Sequence, residues 1–355
     1  MKSIFQINTV YQLFITINMR LNGLPEGKVD LVVSDHTPIL KSYITNLADS
    51  GLFENIYYIK SLEFNNYFWG VPNEKKMDAF FNCTSKLKRA LTLPAINYGE
   101  YDNLYTANLD AYTKCLYKKF PNLNIYQIED GAASCSTDWK KISQRWNYIE
   151  GFNKIYDDVK ALYLYSPDLM CFESSIPKIQ LPKIHRSVEV IELFNKIFDY
   201  KKVDFPKFVF VEQSFQVDNI KNNDLEFMQI TMDTVGYHNL YVKTHPRNTI
   251  NRSFVYGLSK MRNEIVPFEL MLLNCEKNNS VFITIDSGSL ISPRVIFDDD
   301  IKTILLYKAV IGKTHNHNNK EFSIYMDKFC NKYKSPNLMI PYSLKEYICM
   351  LTHLR

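Results

Sequence analysis

The chain lacks four things: a long hydrophobic run, a CxxC pair, a GxxxxGKS/T phosphate loop and a dense basic stripe. Each absence removes a class of protein. The opening stretch, MKSIFQINTVYQLFITINMRL, is broken by Gln6, Asn8, Thr9, Gln12 and Asn18. No apolar segment therefore reaches membrane-spanning length, and no secretory leader is expected. The seven cysteines (Cys83, Cys115, Cys135, Cys171, Cys275, Cys330 and Cys349) are scattered and odd in number. That pattern gives no support to a zinc ribbon or thioredoxin-like chemistry and suits a reducing compartment. A formal net charge of +4 is mildly basic, which favours an anionic substrate but falls short of a nucleic-acid surface. Lys114, Lys118, Lys119, Lys140 and Lys141 read as solvated helix faces. Cytoplasmic location is the expectation, with peripheral contact at the inner face of the membrane as its furthest extension.

What is present is an ordinary globular composition. The chain has 355 residues, 46% of them hydrophobic and 23% charged, enough for two domains with full cores. Its 24 Tyr and 23 Phe suit packing, and they also suit sugar-contacting surfaces. Short apolar runs alternate with helical spacing. Ser3–Ile7, Val29–Val33, Ile56–Ile59 and Asn124–Ile128 read as strands, and Thr9–Leu21 and Leu109–Lys119 as helices. Pro177, Pro182 and Pro206 mark a change of texture between Cys171 and Lys207, with one helical stretch, Val188–Phe198, inside it. The alternation then resumes with strands at Phe208–Val211, Asn239–Lys243, Ser280–Ile285 and Lys302–Leu306. Helices are expected at Asp224–Val235, Phe268–Asn274 and Ser343–Leu354. Fully apolar strands followed by polar loops predict parallel sheets covered on both faces. The expected architecture is α/β, with two Rossmann-like domains, residues 1–200 and 201–355, facing across a cleft.

Four segments at strand or helix ends carry the chemistry. Glu129-Asp130-Gly131 places two carboxylates before a glycine turn, where one of them is suited to remove a hydroxyl proton. An Asp-Gly turn capping the next helix is the plainer alternative. In Lys243-Thr244-His245-Pro246-Arg247, Pro246 stops the strand and presents the His245 imidazole, which suits a phosphate leaving group. A lone histidine is more often structural. Val266-Pro267-Phe268-Glu269 opens a helix, and Glu269 there suits ribose hydroxyls or simply the helix dipole. Ser287-Gly288-Ser289 follows a strand, and its hydroxyls and backbone N–H groups suit an anion. The Phe297-Asp298-Asp299-Asp300 run reads as a solvated acidic loop after a strand. His315 and His317 read as exposed residues of an Asn-rich loop.

In this order, the segments resemble the bacterial sialyltransferases of glycosyltransferase family 52 and the related polysialyltransferases. Asn8-Thr9-Val10-Tyr11-Gln12-Leu13 also looks like that family's opening loop. The resemblance implies a GT-B fold, an N-terminal acceptor-binding domain with Asn8, Thr9, Tyr11 and Gln12 on the acceptor side, and a C-terminal nucleotide-sugar domain. It implies Asp130 as general base, with Glu129 open as an alternative. His245 would be the general acid or phosphate donor. Glu269 would hold the ribose, and Pro246, Ser287, Gly288 and Ser289 would lie along the phosphate. It further implies inverting transfer of sialic acid from CMP-sialic acid to a galactose-type hydroxyl of a surface glycan, with no cofactor and no metal. A homodimer is the implied assembly.

Other classes stay open on the residues alone. Another nucleotide sugar is one. A CDP-alcohol phosphotransferase of the teichoic-acid type also combines His-Pro with a Ser-containing turn, although the acidic pair favours glycosyl transfer. A non-catalytic nucleotide- or glycan-binding module would be expected to lack the acid and the histidine, and Asp130 and His245 are both present.

Overall fold

The computed structural model describes residues 1–355 except 84, 86, 88–95, 203, 246, 249–258, 261–265, 276–279 and 318. The chain divides into two compact units, Met1–Tyr200 and Lys201–Arg355.

In the first unit, seven parallel strands run in the order β3-β2-β1-β4-β5-β6-β7. They are β1 (Ser3–Ile7), β2 (Val29–Ser34), β3 (Ile56–Ile59), β4 (Asn103–Thr106), β5 (Asn124–Ile128), β6 (Ala161–Leu164) and β7 (Lys178–Gln180). Phe5 pairs with Leu31 on one side and Tyr105 on the other. Every residue of β1, β2, β4 and β6 is buried, as both-face coverage requires. The helix Val10–Leu21 starts at Thr9, whose side chain accepts the Gln12 backbone N–H. Its Phe14 meets Phe194 at 4.6 Å between ring centroids. Phe194 belongs to the helix Val188–Ile197, so the proline-marked stretch before residue 200 is packed structure, and it contributes β7 as well. After β3 the chain forms the helix Ser61–Gly70, which buries Phe64 and Phe68. Lys114 is no solvated lysine. It is buried, with Nζ 4.0 Å from the Phe152 ring centroid, and burial lowers its pKa to about 7.

In the second unit, six parallel strands run β10-β9-β8-β11-β12-β13. They are β8 (Phe208–Val211), β9 (Leu240–Lys243), β10 (Ser259–Lys260), β11 (Val281–Thr284), β12 (Lys302–Leu305) and β13 (Leu338–Met339). Phe208, Phe210, Val242 and Ile283 from the sheet pack with Phe227 and Tyr347 of the helices Asp224–Val235 and Leu344–Leu354. Each such side chain contributes roughly 1.5–3 kcal/mol on burial. Thr231 and Tyr347 close the helix pair with a hydroxyl–hydroxyl contact of 2.5 Å.

Both sheets have the same connectivity. The chain lays down three strands in one direction, then returns to the other side of the first. The reversal lies between β1 and β4 in one unit and between β8 and β11 in the other. In such sheets, ligands bind outside the carboxyl ends of the strands at this reversal.

Candidate functional site

Side chains from β1, β4 and β5 converge at the reversal of the first unit. Asn8, directly after β1, offers its backbone N–H to the Gln12 side-chain oxygen at 2.7 Å. Its Oδ1 accepts the Ser34 hydroxyl at 2.8 Å. Gln12 donates to Asn108 Oδ1, 3.2 Å away beyond β4, and also hydrogen-bonds the Asp130 carboxylate. Asp130 lies two residues past the end of β5, and its backbone N–H donates to Ser134 Oγ at 2.7 Å. Gly131 turns the chain there with φ +71, a conformation that a β-carbon would strain, and Tyr11 lies 4.0 Å from where that carbon would stand. Asn8, Thr9, Gln12 and Asp130 are thus joined by hydrogen bonds, Tyr11 lies beside Gly131, and Glu129 is held apart by the Tyr165 backbone.

The two carboxylates differ. Glu129 is 4% exposed and accepts the Tyr165 backbone N–H at 2.7 Å. Burial pushes its pKa up to about 7 against that bond and the charge of Lys183. Asp130 keeps part of its surface open, although protein atoms surround it densely. Burial raises its pKa too, while Gln12 pulls it back. Glu129 is already engaged by the backbone, and Asp130 is the carboxylate with an accessible face. Beside this turn, a cavity of about 190 Å³ is lined by Ser134, Asp138, Trp139, Tyr156, Phe172 and Glu173, among others. Asp110 and Asn65 also join the network, because Asn65 donates to Asp110 at 2.8 Å and Asn8 to the same oxygen at 3.4 Å.

In the second unit, the ends of β8, β9 and β11 are linked. His245 follows β9, and its backbone N–H donates to Glu212, just past β8, at 3.3 Å. Arg247 donates its backbone N–H to His245 Nδ1 at 3.2 Å. Nδ1 is therefore an acceptor, and the ring proton sits on Nε2. Burial, followed by the charges of Arg247 and Lys243, lowers the His245 pKa to about 4. The ring is thus a neutral hydrogen-bond donor near neutral pH. Pro246 lies outside the described residues.

Glu269 stands in the first turn of the helix Phe268–Leu273 and is 4% exposed. Burial raises its pKa, opposed by its own backbone N–H, the Ser292 hydroxyl and Lys243. Ser287 accepts the Ser289 backbone N–H at 3.3 Å and opens the short turn Gly288–Leu290. A β-carbon on Gly288 would meet nothing within 4 Å, so this turn has open space beside it. Immediately before it, buried Asp286 accepts from Gln213 and, at 3.0 Å, from Asn316, which ties β11 to β8 at the reversal.

Glu212, Gln213 and Asp286 were not among the expected site residues. Their signal was present all the same, since Glu212-Gln213-Ser214 is a polar trio directly after the apolar β8. His315 is not simply exposed. It stacks on Phe215 at 4.9 Å and reaches Asp218 at 2.7 Å. The Asp298–Asp300 run follows a helix, Ser292–Phe297, and not a strand. Asp300 pairs with buried Arg294 at 2.9 Å, and Asp299 is 1% exposed. Among the described residues, no three His, Cys, Asp or Glu gather as metal ligands would.

Each unit is a doubly wound Rossmann-like domain with polar groups collected at its reversal. No family model matches the chain, and no curated protein matches it in sequence. Among solved structures, it is similar to Arabidopsis thaliana UGT89C1 complexed with UDP. The identity is 12%, covering 99% of this chain and 90% of that one, with a TM-score of 0.56. A UDP-N-acetylglucosamine 2-epimerase (11% identity, 99% and 94% covered, TM-score 0.47) aligns less well. So does the glycosyltransferase VinC in complex with dTDP (10% identity, 100% and 91% covered, TM-score 0.46). The fold is of the GT-B type, with two Rossmann-like domains in one chain.

Proposed function

We propose that the chain is a glycosyltransferase that moves sialic acid from CMP-sialic acid to a galactose-type hydroxyl, with inversion and without a metal, as the resemblance to family 52 implies. The observation carrying this reading is the placement of Asp130. It is a partly accessible carboxylate with a raised pKa, at a strand's carboxyl end beside the reversal of the first unit. Asp130 takes the proton from the acceptor hydroxyl as that oxygen attacks the anomeric carbon. The bond from that carbon to the phosphate oxygen breaks, and negative charge builds on the departing nucleotide. The His245 Nε2–H and the donors of the Ser287–Ser289 turn stabilise that charge. Glu269 serves the ribose. Glu129 supports the strand end and leaves proton transfer to Asp130. We place the reaction in the cytoplasm, in keeping with seven cysteines that form no disulfide.

A uridine-nucleotide donor is the second reading, because the similar plant structure was solved with UDP. The test is to incubate the protein with CMP-sialic acid and a galactosyl acceptor in EDTA. Sialylated product and free CMP are expected from the wild type. Asp130→Asn should lose at least a hundredfold in transfer while CMP binding persists. No product with CMP-sialic acid, or product only with a UDP-sugar, would reject the sialyl reading. Equal loss of CMP binding in the variant would remove Asp130 as base.

A further inference from the structure

One carboxylate ties together three loops at the carboxyl edge of the second sheet. Asp218, in the loop after β8, receives both terminal nitrogens of Arg247, each at 3.0 Å. It also accepts the Ser214 hydroxyl at 2.6 Å and contacts His315 Nε2 at 2.7 Å. Ser214 in turn accepts from Arg247 at 2.7 Å. These bonds hold the Asp218 pKa at about 2, the Ser214 hydroxyl contributing most and His315 next. The base of the arrangement is firm, because Ser214 and Phe215 are almost fully buried and His315 stacks on the Phe215 ring.

Arg247 itself is 58% exposed. Burial gives its guanidinium no reason to fold back, so the two-pronged pair with Asp218 fixes where residue 247 sits. Its backbone N–H is the group that occupies His245 Nδ1. We infer that Asp218 is a positioning residue: by clamping Arg247 it holds that N–H on His245 Nδ1 and so keeps the imidazole proton on Nε2, aimed for donation to the leaving phosphate. The inference rests on the proposed transfer reaction. It adds a control on its donor group that the motif residues alone do not provide. The plainer alternative is a surface ion pair worth less than about 1 kcal/mol, whose loss would leave the imidazole unchanged.

The two are separated by a spectrum that needs no substrate. Long-range proton–nitrogen NMR of the histidine-labelled full chain should show the wild-type His245 with its proton on Nε2. In Asp218→Asn the signal should move toward a mixture of the two ring forms, and Arg247→Ala, an exposed change, should reproduce it even if Asp218→Asn folds poorly. Arg247→Lys should recover only part of the wild-type signature, because lysine lacks the fork. With a working donor, kcat should fall on the order of tenfold to a hundredfold at nearly constant donor KM. An unchanged His245 spectrum in both Asp218→Asn and Arg247→Ala overturns the inference. A KM rise without a kcat change does so too, by making Arg247 a donor contact. If the spectrum shifts but no transferase activity exists, the clamp stands and the proposed reaction fails.

Discussion

Adjacent carboxylates in the turn after one strand do different work because the turn at Gly131 sends them to different surroundings. Glu129 turns inward, where a backbone N–H receives it, and Asp130 turns to a partly open face. The identities of both were readable from the sequence. Which one is closed off was not, since that depends on Tyr165, thirty-six positions away. The difference has a consequence for stability. The Glu129 pKa rises from 4.5 to about 7 on folding, so the folded chain favours the protonated acid. Its contribution is complete below the unfolded value and is lost as pH climbs through about 7, a change of roughly 3 kcal/mol. Glu129→Gln removes the titration while keeping an acceptor for Tyr165. Denaturant unfolding at pH 4.5 and pH 7.5 should show the variant gaining on the wild type by about that amount. A constant difference between the two proteins would mean that folding does not raise the Glu129 pKa.

Elements were legible where the residues speak with one voice. Phe208–Val211 is an unbroken apolar run, and Leu31–Val33 carries Val29–Ser34 past its one buried carboxylate, Asp30; both are strands. β4, the strand on the other side of β1, was not legible, because Asn103 and Thr106 interrupt its pattern. Their polarity is absorbed by contacts that only the assembled sheet supplies, such as Asn103 to Ser3 at 3.3 Å. β7, three exposed residues, owes its existence to pairing with β6. The helix Val10–Leu21 was legible at its start because Thr9 caps it, and the same turn carries Asn8 and Gln12 into the site. Thr9→Ala should therefore act on both. It should cost about 1 kcal/mol, read as a lower thermal midpoint. It should also reduce transfer more than donor binding, since the loosened turn holds Gln12 against Asp130. A variant with the lower midpoint but wild-type transfer would separate the cap from the site.

At the scale of the whole molecule, the same connectivity occurs twice, with different polar groups at each reversal. Acidic and amide side chains gather at β1 and β5 of the first unit. A neutral imidazole, a hydroxyl-bearing turn and a buried glutamate gather at β9, β11 and the helix Phe268–Leu273 of the second. Glu212 and Asp286 of the second unit are already taken up by amide donors, which leaves its imidazole and hydroxyl turn for an anionic nucleotide, so the nucleotide should choose that unit. A ligand that binds only the folded state adds about 2.7 kcal/mol at a hundred times its Kd, enough for a clear thermal shift. Hydrogen exchange can then place the effect along the chain. CMP should slow exchange in the segments after β8, β9 and β11 and leave the Asn8 and Asp130 segments near their unliganded rates. UDP and GDP at equal concentration should do so less. Protection by UDP equal to or above that by CMP would overturn the cytidine donor while keeping the second unit as the nucleotide site. Protection centred on the first unit would reverse the division of labour, because the groups proposed to stabilise the departing phosphate would then lie in the wrong domain.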